Sequence, residues 1–250
     1  MTEMLRAVDV RVHDRVNGVS LELQPGTVTT VIGGNGSGKS SLLQVLAGEL
    51  VTDSGQVFIS ETDIASVGAL QLARMRAMLD QSTNVHFGFC VQDVVSWGRT
   101  PWRGTKQAAH DAEVIQQVMR DQHIAGLAAR SLNELSGGER KRVHIARVLA
   151  QSTPVLLLDE ADGDLDLPGR AHLDRVVRGL AADGVLIIQV SHDLARAAQY
   201  SDVIVAMKSG SVVASGTPNA IMTSQVLTEV FETPCVVEQT PSGHLMIATS

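Results

Sequence analysis

Apolar residues follow three rhythms along this chain. Between residues 4 and 32 they alternate with polar ones, at Val8, Val10 and Val12 and again at Val19, Leu21 and Leu23. That period of two predicts short strands in a small antiparallel sheet, and Pro25-Gly26 marks the turn leading out of it. Residues 28–32 are β-branched throughout, which reads as a buried strand, and residues 40–46 switch to helical spacing. Asp53-Ser54-Gly55 supplies a turn before another short strand at 56–59. From about 68 to 151 the pattern is mostly helical, over 68–78, 91–98, 105–119 and 139–151. Continuous apolar strands at 155–158, 185–190 and 203–207 then alternate with helices at 173–182 and 193–200. Strands alternating with helices imply an α/β fold with a mostly parallel sheet covered on both faces. The helical block at 85–151 reads as an insertion into a core formed by 1–84 and 152–221, leaving 222–250 as a C-terminal extension of one domain. No internal repeat or low-complexity tract interrupts this order.

Chemistry enters where the strand at 28–32 ends. Gly33-Gly34-Asn35-Gly36-Ser37-Gly38-Lys39-Ser40 has the form G-x-x-x-x-G-K-S, and Ser41 continues into the helix. Strand, glycine turn and helix in that order form the phosphate-binding loop of a P-loop nucleotide triphosphatase, with a RecA-like core. Gly33, Gly36 and Gly38 let bare backbone wrap phosphate oxygens. The following helix N-terminus adds free N–H groups and partial positive charge. Lys39 supplies a full charge to the β- and γ-phosphates, and the Ser40 hydroxyl is placed for Mg²⁺.

Bulk composition narrows the setting. The 250 residues are 44% hydrophobic and 19% charged, ordinary for a globular α/β protein. No run approaches the roughly 18 apolar residues that span a bilayer, and residues 1–6 lack the order of a signal peptide. The chain is therefore expected in the cytosol, reaching a membrane through partners. A net charge of −7 argues against a sequence-independent nucleic-acid binder. Cys90 and Cys235 match no zinc or redox spacing, so both are read as reduced.

Two further runs complete the candidate site. Leu156-Leu157-Leu158-Asp159-Glu160 is a strand presenting adjacent carboxylates at the edge where open α/β sheets bind ligands. Asp159 is suited to hold hydrated Mg²⁺, and Glu160 to polarise the attacking water. In Leu135-Ser136-Gly137-Gly138-Glu139, Ser136 and Glu139 form the capping box of a helix. That box does not explain two glycines in a first turn, each costing about 1 kcal/mol of helix propensity. Bare backbone at a capped helix end is a second anion site.

Together these three runs resemble the ATP-binding subunit of an ABC (ATP-binding cassette) transporter, over residues 4 to about 220 and in that family's usual order. The resemblance implies further roles. Gln81 matches the glutamine that touches Mg²⁺ or water and joins the core to the helical insert. His192 matches the histidine that reaches the γ-phosphate, and Ser136–Glu139 would clamp the ATP held by a second copy in a head-to-tail homodimer. Gly163-Asp164-Leu165-Asp166 stands in the place of the family's S-A-L-D loop, with Asp166 conforming and so implied at the nucleotide, and the first two residues departing. Ala161 replaces the usual proline. The aromatic that stacks on adenine is missing, since none precedes Phe58, and His13 lies near its place.

Val91-Gln92-Asp93-Val94-Val95-Ser96-Trp97-Gly98-Arg99-Thr100-Pro101-Trp102 resembles the V-x-D-V-V-x-x-G-R-x-P stretch of ATPases serving iron–siderophore, haem and cobalamin importers. The tail Val230-Phe231-Glu232-Thr233-Pro234-Cys235-Val236-Val237 is similar to that group's extension. The implied function is Mg²⁺-dependent ATP hydrolysis driving uptake of an iron complex, haem or siderophore. Its implied partners are a polytopic permease at the cytoplasmic face of the membrane and, through it, a substrate-binding protein. The alternatives are the ATPase of another ABC transporter (cobalamin, amino acid or exporter) and a scaffold ATPase such as one of iron–sulfur assembly.

Overall fold

The computed structural model describes residues 4–81, 88–240 and 245–249. The chain opens with the antiparallel pair β1 (Leu5–Val12) and β2 (Val16–Leu23). Asp9, with a φ of 44°, lies at a bulge that slips the register between Ala7 and Val10. A bulge shifts the inward phase by one residue. Leu5 and Ala7 are buried before it and Val10 and Val12 after it, while Val8, part of the expected alternation, faces out.

Next come β3 (Val28–Gly33), α1 (Lys39–Leu46), β4 (Ser54–Ile59), β5 (Thr62–Asp63), α2 (Ala69–Met75) and β6 (Arg76–Leu79). The helix expected over 68–78 therefore stops at Met75. Residues 76–79 pair in parallel with residues 155–158 and bury Ala77 and Leu79, so sheet pairing overrides the local helical spacing.

The insert holds α3 (Val91–Ser96), α4 (Asp111–Asp121) and α5 (Gly137–Ala150), with short 3₁₀ turns at Trp97–Trp102 and Lys106–His110. Its core, around Val91, Val94, Val95, Ile124 and Val143, is its own. The other side of α5 carries Ile145 and Val148 into the main core. The expected boundary between 84 and 85 lies outside the described residues.

The chain returns through β7 (Val155–Asp159), α6 (Leu167–Ala182), β8 (Leu186–Val190), α7 (Leu194–Tyr200), β9 (Val203–Lys208) and β10 (Ser211–Gly216). Helix α6 starts six residues before the expected 173 because Asp166 caps it, accepting from the Gly169 N–H at 2.9 Å. Strand β10 lies beyond the strands that the apolar pattern predicts. It hairpins back from β9 through Ser209-Gly210, both at positive φ, the turn chemistry that suits a two-residue loop.

The principal sheet has the order β10-β9-β3-β8-β7-β6, parallel except for β10. β3 and β7 are buried at every position, as strands covered on both faces must be. A second sheet, β2-β1-β4-β5, closes one face over α1. The tail forms α8 (Pro218–Ile221), α9 (Ser224–Phe231) and the hairpin β11 (Cys235–Gln239) and β12 (Leu245–Thr249), packed on α7 and β9. Both cysteines are free thiols. Among the described residues no helix is long and apolar enough to cross a membrane.

Candidate functional site

Four adjacent parallel strands, β3, β8, β7 and β6, point their C-terminal ends to one edge of the sheet. Every candidate outside the helical insert except Asp166 follows one of those ends: the phosphate loop after β3, His192 after β8, Asp159 and Glu160 at the end of β7, and Gln81 after β6.

The phosphate loop is glycine-bound for reasons the packing makes plain. A Cβ on Gly33 would lie 2.3 Å from the Met207 carbonyl oxygen. One on Gly38, whose φ is 98°, would lie 2.3 Å from that of Arg15. At Gly34 and Gly36 a Cβ would meet nothing within 4 Å, leaving that side of the loop open. Lys39 donates to the carbonyls of Gly33 and Gly34 at 3.0 and 2.9 Å. Burial holds its pKa below the ordinary lysine value, against the opposing pull of Glu160 and Asp159. The adjoining cleft, about 260 Å³, is lined by Asp14, Arg15, Gly36, Gly38, Lys39, Ser40 and Ser41. Asp14 and Arg15 carry no sequence signal for this place, because nothing in a β-hairpin turn shows which distant loop it will lie against. His13 beside them is exposed, its ring 3.2 Å from Asp14 and its main-chain N–H donated to Asp53.

Asp159 is 3% exposed, and its Oδ1 is buried without a hydrogen-bond partner among the described residues. Burial raises its pKa, with the Ser40 hydroxyl pulling the other way and Glu160 and Asp80 adding to the rise. A buried, orphaned carboxylate oxygen beside a hydroxyl is a donor set that fits a hard divalent cation. Next to it, Glu160 adopts a φ of 46°, rare for a residue with a side chain. Its carboxylate gathers two candidates: Oε1 lies 2.6 Å from His192 Nε2, and Oε2 accepts from Gln81 Nε2 at 2.8 Å. Beyond His192 a wider cleft of about 810 Å³ runs to the C-terminal hairpin, past Phe231, Cys235 and Ile247.

Ser136 and Glu139 form the expected capping box. The Ser136 hydroxyl accepts from the Glu139 N–H at 3.3 Å, and Glu139 Oε2 accepts from the Ser136 N–H at 2.9 Å. That main-chain bond, with the Ser136 hydroxyl, holds the Glu139 carboxyl below its usual pKa. A Cβ on Gly137 or Gly138 would make only ordinary contact with Asp164, so no packing among the described residues demands glycine there. Among the described residues, no hydrogen bond or ion pair joins 136–139 to the phosphate loop. Asp166, expected at the nucleotide, caps α6.

The 91–102 stretch is fastened within the insert, to the start of α4 and the end of α5. Arg99, 4% exposed, donates to Asp111 at 2.7 Å and to the Ala150 carbonyl at 2.8 Å. Trp102 Nε1 reaches the Gln151 carbonyl at 2.7 Å.

The sequence profile of the ABC transporter family matches residues 16–163. The hemin import ATP-binding protein HmuV of Streptomyces coelicolor is 39% identical over 233 residues, 93% of this chain and 83% of its own. That of Nocardia farcinica is 41% identical over 92% of this chain and 79% of its own, and that of Pseudomonas fluorescens 37% over 98% and 99%. Among solved structures, an inward-facing metal-chelate type ABC transporter superposes with a TM-score of 0.84 at 23% identity, covering 100% of this chain and 98% of that one. CbiO1 from Clostridium perfringens, part of the ABC transporter complex cbiONQ, gives 0.76 at 26%, covering 90% and 92%.

Proposed function

This chain belongs to the ATP-binding subunits of the ABC transporter family, and from that premise we propose that it powers an importer of an iron complex, haem before siderophore. The haem preference rests on the names its relatives carry, while the 91–102 stretch supports the wider iron-complex and cobalamin group. The catalytic reading rests on one observation: the Glu160 carboxylate is shared by Gln81 and His192 at the strand ends that also carry Lys39, Ser40 and Asp159.

In this reading Gly33, Gly34, Asn35, Gly36, Ser37, Gly38, Lys39, Ser40 and Ser41 cradle the phosphates of ATP. Ser40, Asp159 and Gln81 hold Mg²⁺, which when bound neutralises phosphate charge. Glu160 accepts the proton of the water whose oxygen attacks the γ-phosphorus, as the bond to the β-phosphate oxygen breaks. A positioned general base contributes about 10²–10⁴-fold in rate. His192 orients that carboxylate and senses the γ-phosphate. Residues 136–139 and Asp166 complete the site across a head-to-tail homodimer, so ATP draws two copies together and hydrolysis releases them. The dimer works on the cytoplasmic face of the membrane against a separate permease, which meets the substrate-binding protein, and nucleic acid takes no part.

The test is ATP hydrolysis by the complex reconstituted with its permease and binding protein. Haem is expected to stimulate turnover, and ferric siderophore or cobalamin to do so less. Stimulation by cobalamin or an amino acid alone replaces the substrate, and a chain that never co-purifies with a permease points to the scaffold role.

A further inference from the structure

Arg196 lies on α7, four residues past His192, and joins three segments. Its Nε and Nη2 fork onto Asp174 of α6, at 3.2 Å to Oδ2 and 2.5 Å to Oδ1, while Nη1 donates to Asp162. Asp162 sits two residues past Glu160 in the turn after β7. The cluster is largely out of solvent, with Arg196 and Asp162 each 18% exposed and Asp174 9%. The start of α7 is fixed on the same side, because Asp193 accepts from the Arg196 N–H at 3.0 Å and Ser191 Oγ from the Asp193 N–H at 3.1 Å.

This arrangement answers a problem set by the topology. Glu160 and His192 leave two neighbouring strands, β7 and β8, whose ladder ends at Asp159 and Val190. Past that point no sheet hydrogen bond sets the separation of the two loops, and Glu160 stands in a backbone conformation that its surroundings must impose. A planar guanidinium holding one carboxylate with two bonds and another with a third fixes angles as well as distances, which an ammonium does not. We propose that Arg196 is a positioning residue for hydrolysis, clamping the turn after Glu160 and the helix after His192 to α6 so that the Glu160–His192 contact is kept. The proposal rests on the catalytic reading of Glu160 and His192 given above.

The experiment measures ATP turnover of the full chain with its permease for Arg196→Met, Arg196→Lys, His192→Ala, the double variant Arg196→Met/His192→Ala, and Glu160→Gln, with thermal melts of each. Arg196→Met is expected to lower kcat by about tenfold or more with KM for ATP within about twofold, and Arg196→Lys to recover little of it. With His192 removed, the Arg196 change is expected to cost less than about threefold more, because both act on one contact. Normal turnover of folded Arg196→Met beside a dead Glu160→Gln overturns this inference alone, and so does a fully additive loss in the double variant. Normal turnover of Glu160→Gln overturns the catalytic reading itself. If Arg196→Met does not fold, Asp162→Asn decides, since it leaves the Arg196–Asp174 fork intact: a fall in kcat at unchanged KM supports the clamp, and unchanged kcat sinks it.

Discussion

The Lys141 ammonium donates to the main-chain carbonyl of Glu160 over 3.1 Å, tying the helix that begins at Gly137 to the backbone carrying the shared carboxylate. Lys141 is 6% exposed, and burial lowers its pKa against the pull of Asp164, Asp162, Asp159 and Glu160. A hydrogen bond from a charged group contributes about 1.5–3 kcal/mol. If that contribution holds Glu160 in its positive-φ conformation, Lys141→Met lowers kcat about tenfold or more while KM for ATP stays put. Steady-state ATPase assays check this. An equal loss in KM would show that Lys141 serves nucleotide binding instead.

Lys39 is already desolvated and directed at the carbonyls of the loop it closes. In the proposed reading its charge is the one the loop brings to the phosphates. Lys39→Ala is expected to weaken ATP binding at least about 100-fold, the loss of a buried charged partner, with an unchanged far-ultraviolet spectrum. Calorimetric titration with Mg²⁺–ATP measures the first quantity. Retained affinity would remove the phosphate loop from its role.

The site was legible where chemistry follows contiguous sequence. Residues 33–41, 136–139 and 156–160 each carry their geometry in a short run, because a strand, a turn and a helix start are local objects. Gln81 and His192 needed the family resemblance, since one glutamine after an apolar stretch has no signature of its own. Arg196, Asp162 and Asp174 carried no local signal at all, as their meeting depends on three elements packing. The misread strand at 76–79 has the same cause: it is held by its ladder to 155–158, which no periodicity within residues 68–79 reveals. Val8 fell on the wrong face because a bulge at Asp9 resets the phase.

Gly98 packs the 97–102 segment against α5 through a contact that leaves no room for a side chain. A Cβ there would lie 2.1 Å from the Arg147 carbonyl oxygen and 3.0 Å from Ala150 Cβ. Both obstacles belong to a helix that also packs on the main core, so neither yields freely. Gly98→Ala is expected to destabilise the protein by about 1–3 kcal/mol, the usual cost of overpacking. Urea unfolding measures it, and a shift below about 0.5 kcal/mol would show that the 97–102 segment can slide on α5.

His144 gives the protein a dependence on pH that lies outside its catalytic groups. The ring is 2% exposed, and neither nitrogen has a hydrogen-bond partner among the described residues. Burial, then the charges of Arg147, Lys141 and Arg140, push its pKa down to about 4. The unfolded chain binds a proton at this residue below pH 6.5, whereas the folded chain resists until about pH 4. Stability therefore falls as pH drops through that window, and above it the neutral ring carries no such penalty. From 1.36 kcal/mol per pKa unit, the loss between pH 7 and pH 5 is about 2 kcal/mol. His144→Leu, similar in size and without a titrating group, removes that slope while other groups cancel in the difference. Its stability relative to the parent is expected to rise by about 2 kcal/mol from pH 7 to pH 5, measured by urea unfolding at each pH. A difference that stays constant across those values would mean that the folded protein admits the proton, through water reaching the ring.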